Sequence, residues 1–127
     1  MHDQIIHIYS RADGVLIDIS DMAVEAGFRI PVAVTRTVWE KYIVWTDEDN
    51  NRQTYQDQPG RMWDILFMLH MACRRSAAKS SLLYQLYVVP RDEKSRRTKS
   101  VLITLKSICR SVDSGEPVMT IMMPDED

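Results

Sequence analysis

The sequence is poor in the residues on which recognisable enzyme chemistry usually depends. It holds only four glycines in 127 residues, which leaves little room for a loop whose backbone amides cradle phosphate. Its two cysteines, Cys73 and Cys109, have no partners at the spacing of a metal site, and neither lies beside an activating base. We expect both to be buried free thiols. Without a catalytic, metal or nucleotide motif, the sequence predicts a protein that is not an enzyme and that carries no cofactor.

Long apolar runs are also missing. No segment approaches the roughly 20 apolar residues that a membrane-spanning helix needs. Residues 1–11 lack the basic leader and the continuous apolar stretch of a signal peptide. We therefore expect a cytoplasmic protein that is not anchored in a membrane.

The chain has no large excess of either charge. Its formal net charge is −2, whereas a groove that follows a phosphate backbone usually belongs to a strongly basic domain. The charge is nevertheless uneven along the chain, because residues 91–99 sum to +3 and residues 113–127 sum to −5. Neither segment is large enough to predict a dedicated nucleic-acid groove or a surface that mimics DNA.

The remaining composition is that of an ordinary globular protein. Hydrophobic residues make up 45% of the chain and charged residues 27%, which argues against disorder. A domain of this size buries roughly two thirds of the surface that its unfolded chain exposes. We therefore expect a single domain that covers residues 1–127.

The pattern of apolar and β-branched residues predicts an α+β fold. We expect a mainly antiparallel sheet, made of an N-terminal hairpin around Asp13-Gly14 and a C-terminal three-stranded meander. About three helices from the middle of the chain are expected to pack against it. The predicted strands cover residues 5–9, 15–19, 82–89, 101–109 and 118–123.

Residues 28–35 are ambiguous. They are apolar and β-branched but contain Pro31. Because proline cannot donate a hydrogen bond to a β-ladder, a strand in this segment is expected only at an edge of the sheet. A helix that begins at Pro31 is the alternative.

Capping signals predict the first two helices. Ser20 is expected to cap a short helix over residues 21–26. Thr37 and Glu40 form a capping-box pattern, followed by aromatic residues at helical spacing, which predicts a helix over residues 38–45.

A polar loop and a central helix should follow. Residues 46–60 are polar throughout and should form a loop, with room for one helical turn after Thr46. Residues 61–75 are apolar on nearly every side, which is typical of a helix at the centre of a fold. Asp64 interrupts this helix and is expected to form an ion pair with Arg61, with Arg74 or near Arg36.

The candidate binding residues lie mostly between Thr37 and Cys73, a stretch that contains all three tryptophans. Large aromatic side chains supply both the core of a small domain and the anchors of a binding surface. Here the aromatic residues lie beside flexible polar side chains, a combination found in protein-binding surfaces. Packing of the tryptophans in the core is the other interpretation. The predicted partner-contact residues are Trp45, Asp47, Glu48, Asp49, Tyr55, Arg96 and Arg97.

A nucleic-acid-binding accessory factor is the alternative function. It would use the basic segment 91–99, where guanidinium and ammonium groups could reach phosphate. The segment has no aromatic residues among its charges, so bases would find nothing on which to stack. The basic residues in question are Arg91, Lys94, Arg96, Arg97 and Lys99.

Four segments carry a resemblance to a known group of proteins. They read ADGVLIDIS at 12–20, EAGFRIPVAVTRTVWE at 25–40, WTDEDNNRQTYQDQPGRMWDIL at 45–66 and GEPVMTIMMPDED at 115–127. Over nearly its whole length the chain resembles an uncharacterised family of small proteins encoded on bacterial plasmids and other mobile elements. The resemblance implies an accessory role in transfer, maintenance or protection of the element, often by stoichiometric binding. Inhibition of CRISPR or restriction machinery is one version of that role.

Overall fold

The computed structural model describes residues 4–6, 16–76, 80–91, 98–111 and 115–126. Its strands and helices follow in an order that mixes the two types, as an α+β fold does. The strands are β1 (Gln4–Ile6), β2 (Leu16–Asp18), β3 (Val32–Thr35), β4 (Ser81–Val88), β5 (Val101–Ser111) and β6 (Pro117–Met122). The helices are α1 (Ser20–Glu25), α2 (Arg36–Val38), α3 (Asp47–Arg52) and α4 (Gln58–Arg75).

The strands form one mixed sheet in the order β1-β2-β3-β6-β5-β4. Four of its five pairings are antiparallel, and the pairing of β3 with β6 is parallel. The predicted α+β class and mostly antiparallel sheet are confirmed. The more detailed prediction, a sheet made of a hairpin and a meander alone, is wrong, because it left out β3, the strand that joins β2 to β6. The Asp13-Gly14 turn lies outside the described residues.

That joining strand is β3, for which the sequence predicted an edge position or a helix. All four of its residues are buried between β2 and β6. Pro31 does not prevent this position, since it precedes the strand and its missing N–H falls outside the ladder. The Pro31 carbonyl even takes part in the pairing with β6, where it accepts a hydrogen bond from the Met119 amide at 3.0 Å.

The first helix begins one residue earlier than predicted, because Ser20 lies within the helix and does not cap it. This residue is the first of α1 and makes no side-chain cap. Its hydroxyl accepts a hydrogen bond from the Val32 amide at 3.0 Å and so ties the helix to β3. Gly27 follows the helix with φ +103°, and a Cβ there would lie 2.9 Å from Cε1 of His70 on α4. Both the backbone angle and the close approach require glycine.

The second helix also differs from the prediction. Thr35 caps it, accepting a hydrogen bond from the Val38 amide, so the predicted Thr37 capping box does not form. The chain then widens into a π-helical segment, Trp39–Ile43, which ends with the Val44 amide donating to the Trp39 carbonyl at 2.9 Å. Segments of this kind are rare and add a residue to the turn. Trp45 consequently lies beyond the helix.

The core lies between the sheet and the two helices α1 and α4. Helix α4 packs on β4 and α1 packs on α4 and β3. Along β4, Tyr84, Leu86 and Val88 are buried beneath α4, while the intervening residues are exposed. This alternation is the two-residue period of a sheet with one covered face. The buried α4 residues facing the sheet include Met62, Ile65, Leu66, Leu69 and Ala72.

Candidate protein-binding surface

Helix α3 begins at a capping box that fixes Asp49 in place. The Thr46 hydroxyl accepts a hydrogen bond from the Asp49 amide at 3.2 Å, and the Asp49 carboxylate accepts one from the Thr46 amide at 2.9 Å. Three acidic residues occupy the first turn, where the positive end of the helix dipole stabilises them. The helical turn predicted after Thr46 is confirmed and is six residues long.

Asp49 is the centre of a buried ion-pair cluster. Its side chain is 1% exposed and contacts two arginines, with Oδ1 2.6 Å from Nη2 of Arg52 and Oδ2 2.7 Å from Nε of Arg91. Burial by itself would raise the pKa of the Asp49 carboxyl, but hydrogen bonds from Arg91, Thr46 and Arg52 outweigh it. They hold the pKa of Asp49 well below its usual range. The carboxylate is therefore charged at any physiological pH.

Arg61 is a second buried charge, at 5% exposure on the first turns of α4. It reaches oxygen atoms on three segments of the chain rather than a carboxylate. Burial lowers the pKa of Arg61 to about 10, so the guanidinium stays charged at neutral pH. Its acceptors are the Val89 carbonyl at 2.8 Å, the Gln56 side chain at 2.6 Å, and the Ile43 and Lys41 carbonyls at 3.3 Å each.

Trp45 packs against this guanidinium. The Arg61 carbon Cζ lies 4.3 Å from the centre of the Trp45 ring, a cation–π distance. The indole Nε1 donates to Oδ1 of Asn50 at 2.8 Å, and the same oxygen accepts the Gln56 amide at 2.7 Å. Trp45 is only 7% exposed. The apolar ring of Trp45 is therefore covered inside the molecule, and its N–H group is hydrogen-bonded there.

We call Trp45, Asp49, Arg52, Arg61 and Arg91 the polar network. It joins α3 and the start of α4 to the end of β4 and to the π-helical segment. Two backbone contacts add to it: the Arg91 amide donates to the Lys41 carbonyl at 3.0 Å, and the Gln53 side chain donates to the Pro90 carbonyl at 3.1 Å. The polar network holds these segments together. Because Trp45 and Asp49 are buried within it, a partner could contact little of either residue, and the prediction that they are contact residues is wrong.

The other predicted contact residues in this region are exposed. Asp47 and Glu48 lie on the outer side of α3, and Tyr55 follows that helix with 83% of its side chain in solvent. Arg96 and Arg97 lie outside the described residues. Their contact role, like that of the three exposed residues, stays a prediction.

Two aromatic residues on α4 extend this exposed area, although the sequence did not single them out as contacts. Trp63 and Phe67 are 38% and 43% exposed. Their rings stack with centres 6.1 Å apart and planes 22° from parallel. Trp63 also lines a shallow depression of about 330 Å³ together with Gln56, the neighbour of Tyr55. We call Tyr55, Trp63 and Phe67 the aromatic surface. The i,i+4 spacing of the α4 pair was the available signal, but it does not tell an inward face from an outward one.

A cavity lies beside the edge strand β4. It has a volume of about 770 Å³ and is lined by one side of α4 and by Leu82 to Tyr87 of β4. Beyond β4, no further strand pairs with the sheet in the part of the chain that the structure describes. Leu83 and Tyr87 are 60% and 67% exposed along this strand, and Leu102 of β5 is 49% exposed. We call this region the edge groove.

The basic segment of the alternative function is described only at its ends. Arg91 is half-buried and bound to Asp49, so its charge is engaged within the polar network. Lys99 is exposed. Lys94, Arg96 and Arg97 lie outside the described residues, so nucleic-acid binding through this segment stays a prediction.

Other types of site can be compared with the described residues only. Among these, no three histidine, cysteine or acidic side chains converge in a way that could hold a metal ion. No helix that the structure describes is both long and apolar enough to cross a membrane. The thiols Cys73 and Cys109 are unpaired and half-buried, and burial raises the pKa of Cys73, which makes it a poor nucleophile at neutral pH.

Comparison with known proteins gives a family and no closer relative. No curated protein matches the chain, and no solved structure matches it. A family model matches residues 2–127, nearly the full sequence, and carries no assigned activity. The uncharacterised nature of the group that the sequence resembles is thereby confirmed. The chain belongs to the family of unknown function DUF6573.

Proposed function

We propose that this protein is a non-enzymatic binding module that acts by stoichiometric contact with another protein. The observation that carries the proposal is the aromatic surface, in which three large side chains, one just before α4 and two within its first ten residues, are between 38% and 83% exposed. Aromatic residues dominate the binding energy of protein interfaces, because they bury a large area and lose little conformational entropy.

The contrast between Trp45 and Tyr55 supports this interpretation. Trp45 is buried and its indole hydrogen bond is satisfied internally. Tyr55, ten residues later, is 83% exposed, although the residue after it, Gln56, is hydrogen-bonded to Asn50 and to Arg61. An exposed aromatic side chain on a fixed segment is pre-organised for binding, since little entropy is lost when a partner covers it.

Asp47 and Glu48 would add selectivity. They lie on the exposed side of α3, close in sequence to Tyr55, and a basic rim on the partner would complement them. Rim charges of this kind affect the rate and selectivity of association more than its final affinity. A bacterial defence complex that binds nucleic acid through basic surfaces is one partner class with this property, and inhibition of such a complex, of the CRISPR or restriction type, is the version of the function that we favour.

The test begins with a pull-down from nuclease-treated bacterial lysate, using purified protein and washes at low and high salt. A retained protein is then purified and titrated calorimetrically against the wild type and Tyr55→Ala. We expect a fixed molar ratio and a dissociation constant that rises by about thirtyfold in the variant, as for an aromatic anchor worth about 2 kcal/mol.

Val24→Ala serves as the control, because Val24 is also exposed, at 67%, but lies on α1. Its affinity should equal that of the wild type. Equal affinity of the wild type and Tyr55→Ala would remove the aromatic surface from the interface. Recovery of nucleic acid alone, lost at high salt, would overturn the proposal in favour of the nucleic-acid alternative, since affinity dominated by phosphate contacts falls steeply with ionic strength.

A further inference from the structure

The edge groove borders a strand whose outer backbone groups pair with no other strand among the described residues. The Cys109 amide donates to the Ser80 carbonyl at 2.8 Å, and the register places these two residues opposite each other. In an antiparallel ladder, hydrogen-bonded and non-hydrogen-bonded pairs alternate. The even-numbered residues of β4 therefore bond to β5. The N–H and C=O groups of the odd-numbered residues point away from the sheet, namely those of Ser81, Leu83, Gln85 and Tyr87.

We propose that the edge groove is occupied by a second copy of this chain, whose β4 pairs antiparallel with the first across a two-fold axis at Gln85. The sheet would then continue from one subunit into the other. This inference goes beyond the proposed function, because it concerns self-association through β4 and does not require the heterologous partner. The two surfaces share Phe67, which also lines the groove.

The side chains of β4 match themselves in this arrangement. With Gln85 opposite its own copy, Leu83 of each subunit faces Tyr87 of the partner subunit on the open face of the sheet. These are large exposed apolar residues, at 60% and 67% exposure. Such cross-strand apolar pairs are the main stabilising unit of an antiparallel ladder. Exposed apolar edges otherwise promote uncontrolled aggregation, and a closed two-fold pairing removes both edges at once.

The charges of the groove are what select a second copy over an unrelated strand. Asp64 and Arg75 both line the groove and are exposed on α4. They are eleven residues apart, which is about three helical turns and about 16 Å, so they project from the same side of the helix. One end of the groove is therefore acidic and the other basic.

Helix α4 runs antiparallel to β4, which places these charges on opposite sides of Gln85. Arg61, near the start of the helix, binds the Val89 carbonyl at the end of the strand. Arg75, the last helical residue, lines the groove near Leu82 at the start of the strand. A two-fold axis at Gln85 sets the two α4 helices side by side and antiparallel. Asp64 of each subunit then faces Arg75 of the partner subunit.

Asp64 forms no close ion pair within the described part of the chain, although the charge of Arg61 lies near enough to oppose the rise in its pKa that burial causes. The sequence predicted that it would pair with Arg61, Arg74 or a group near Arg36, but Arg61 binds carbonyl and amide oxygens instead. Exposed ion pairs add little affinity, whereas like charges brought together oppose association. The two symmetric pairs therefore set the antiparallel orientation.

A charge-swap experiment tests this arrangement. The oligomeric state of the wild type, Asp64→Lys and Arg75→Glu is measured by sedimentation equilibrium over a range of concentrations. We expect the wild type to dimerise and each variant alone to dissociate at least about tenfold more readily, because its groove has charges of one sign at both ends. An equimolar mixture of the two variants should restore the dimer, since each supplies the charge that the other lacks.

Asp47→Lys is the matched control, because it makes the same charge change on the exposed side of α3 and should leave the dimer unchanged. Far-ultraviolet circular dichroism checks that each variant is folded. A wild type that stays monomeric at every concentration would overturn the proposal, including the case in which its edge captures only a foreign peptide. A dimer that neither variant weakens, or a mixture that is not restored, would overturn it as well.

A crosslink provides a second readout that does not depend on charge. Residues opposite each other in a hydrogen-bonded antiparallel pair have Cα atoms about 5.5 Å apart, within the range of a disulfide. Gln85→Cys is exposed and should therefore form an intersubunit disulfide under mild oxidation, visible as a covalent dimer on a non-reducing gel. Asp47→Cys should not. Equal crosslinking of the two variants, or none by Gln85→Cys, would contradict an axis at Gln85.

Discussion

The polar network and the edge groove lie at different borders of the same α4–β4 layer and are built in opposite ways. In the polar network every charge is bound by groups of the same chain, as Asp49 is by two arginines and Arg61 is by carbonyl oxygens. In the edge groove, the outer backbone groups of β4 pair with no strand among the described residues. Asp64 and Arg75 line this groove, and Asp64 forms no close ion pair with a described residue, although it lies within the influence of the Arg61 charge. The polar groups of the first region are therefore bound within one chain, whereas those of the second region can still bind a partner.

This difference separates structural residues from candidate contact residues more sharply than residue type does. Both regions contain aromatics, acids and arginines. What distinguishes them is whether each polar group is satisfied inside the fold, because an internally bound group gains little from a partner. Substitutions in the polar network should therefore lower stability, and substitutions in the exposed regions should alter association while stability is kept.

Arg61→Met should have the largest effect on stability. It removes a buried guanidinium and leaves the Val89 and Ile43 carbonyls without this donor, while the Lys41 carbonyl keeps the Arg91 amide. Loss of a partner for several buried polar groups costs about 3–5 kcal/mol. The measurement is the free energy of unfolding in urea. Arg29→Met, at an exposed position, should change it by less than about 0.5 kcal/mol. Similar values for both variants would show that Arg61 is not structural.

Asp49→Asn should come next, at about 2–3 kcal/mol, because the amide removes the negative charge that binds Arg52 and Arg91. The variant should also alter the pH dependence of stability. The native pKa of Asp49 lies below its unfolded value of about 3.9. The stabilisation that the Asp49 carboxylate provides is therefore fully present at pH values above the unfolded pKa, and it is lost as the pH falls towards the native pKa.

Unfolding in urea at pH 6 and at pH 3 measures this effect. The wild type should lose more stability than Asp49→Asn between the two conditions. Asp47→Asn, at an exposed position, should behave like the wild type. An acid dependence that is unchanged in Asp49→Asn would mean that the carboxylate is not held as described.

Trp45→Phe should have a moderate effect, at about 1–2 kcal/mol. It keeps an aromatic ring beside Arg61 but loses the hydrogen bond from the indole to Asn50. Trp63→Phe, whose residue is partly exposed, should cost less. Thermal unfolding of both variants gives the comparison, and a reversed order would contradict the assignment of Trp45 to the interior and of Trp63 to the surface.

Tyr55→Ala and Leu83→Lys should have the smallest effect on stability, within about 0.5 kcal/mol, because both side chains are mostly in solvent. Their effects on association should differ. Tyr55→Ala is expected to weaken binding of a heterologous partner, and Leu83→Lys to weaken self-association. Calorimetric titration and sedimentation equilibrium distinguish the two. If either variant lost both associations, the two surfaces would have to be treated as a single binding site.

The sequence predicted the elements whose signals are local. The helical turn after Thr46 and the apolar pattern of α4 each depend on neighbouring residues, and each was found. The predicted caps at Ser20 and Thr37 are also local signals, but they were wrong because each helix begins one or two residues earlier. The position of β3 was missed because the effect of Pro31 depends on where the strand begins, and a shift of one residue moves the missing N–H outside the ladder.

The candidate site was harder to predict, because burial there depends on distant partners. Asp49 reads as an exposed acid of a polar loop. Arg52 is a local partner, but the second ion pair comes from Arg91, 42 residues further on. Trp45 and Tyr55 are similar as sequence features, yet Arg61 and Asn50 enclose the first and leave the second in solvent. Long-range contacts of this kind have no periodic signature in the sequence.

The parallel pairing of β3 with β6 affects the time at which the chain can fold. Strand β6 lies in the middle of the sheet, between β3 and β5, but it is made more than 80 residues after β3. Until the ribosome has released residues 117–122, the apolar strands on either side have no common neighbour. Contacts between such distant segments form slowly, and exposed strands are targets for chaperones and proteases during that interval. The yield of this protein in the cell should therefore depend on translation speed and chaperone supply more than its modest size would indicate.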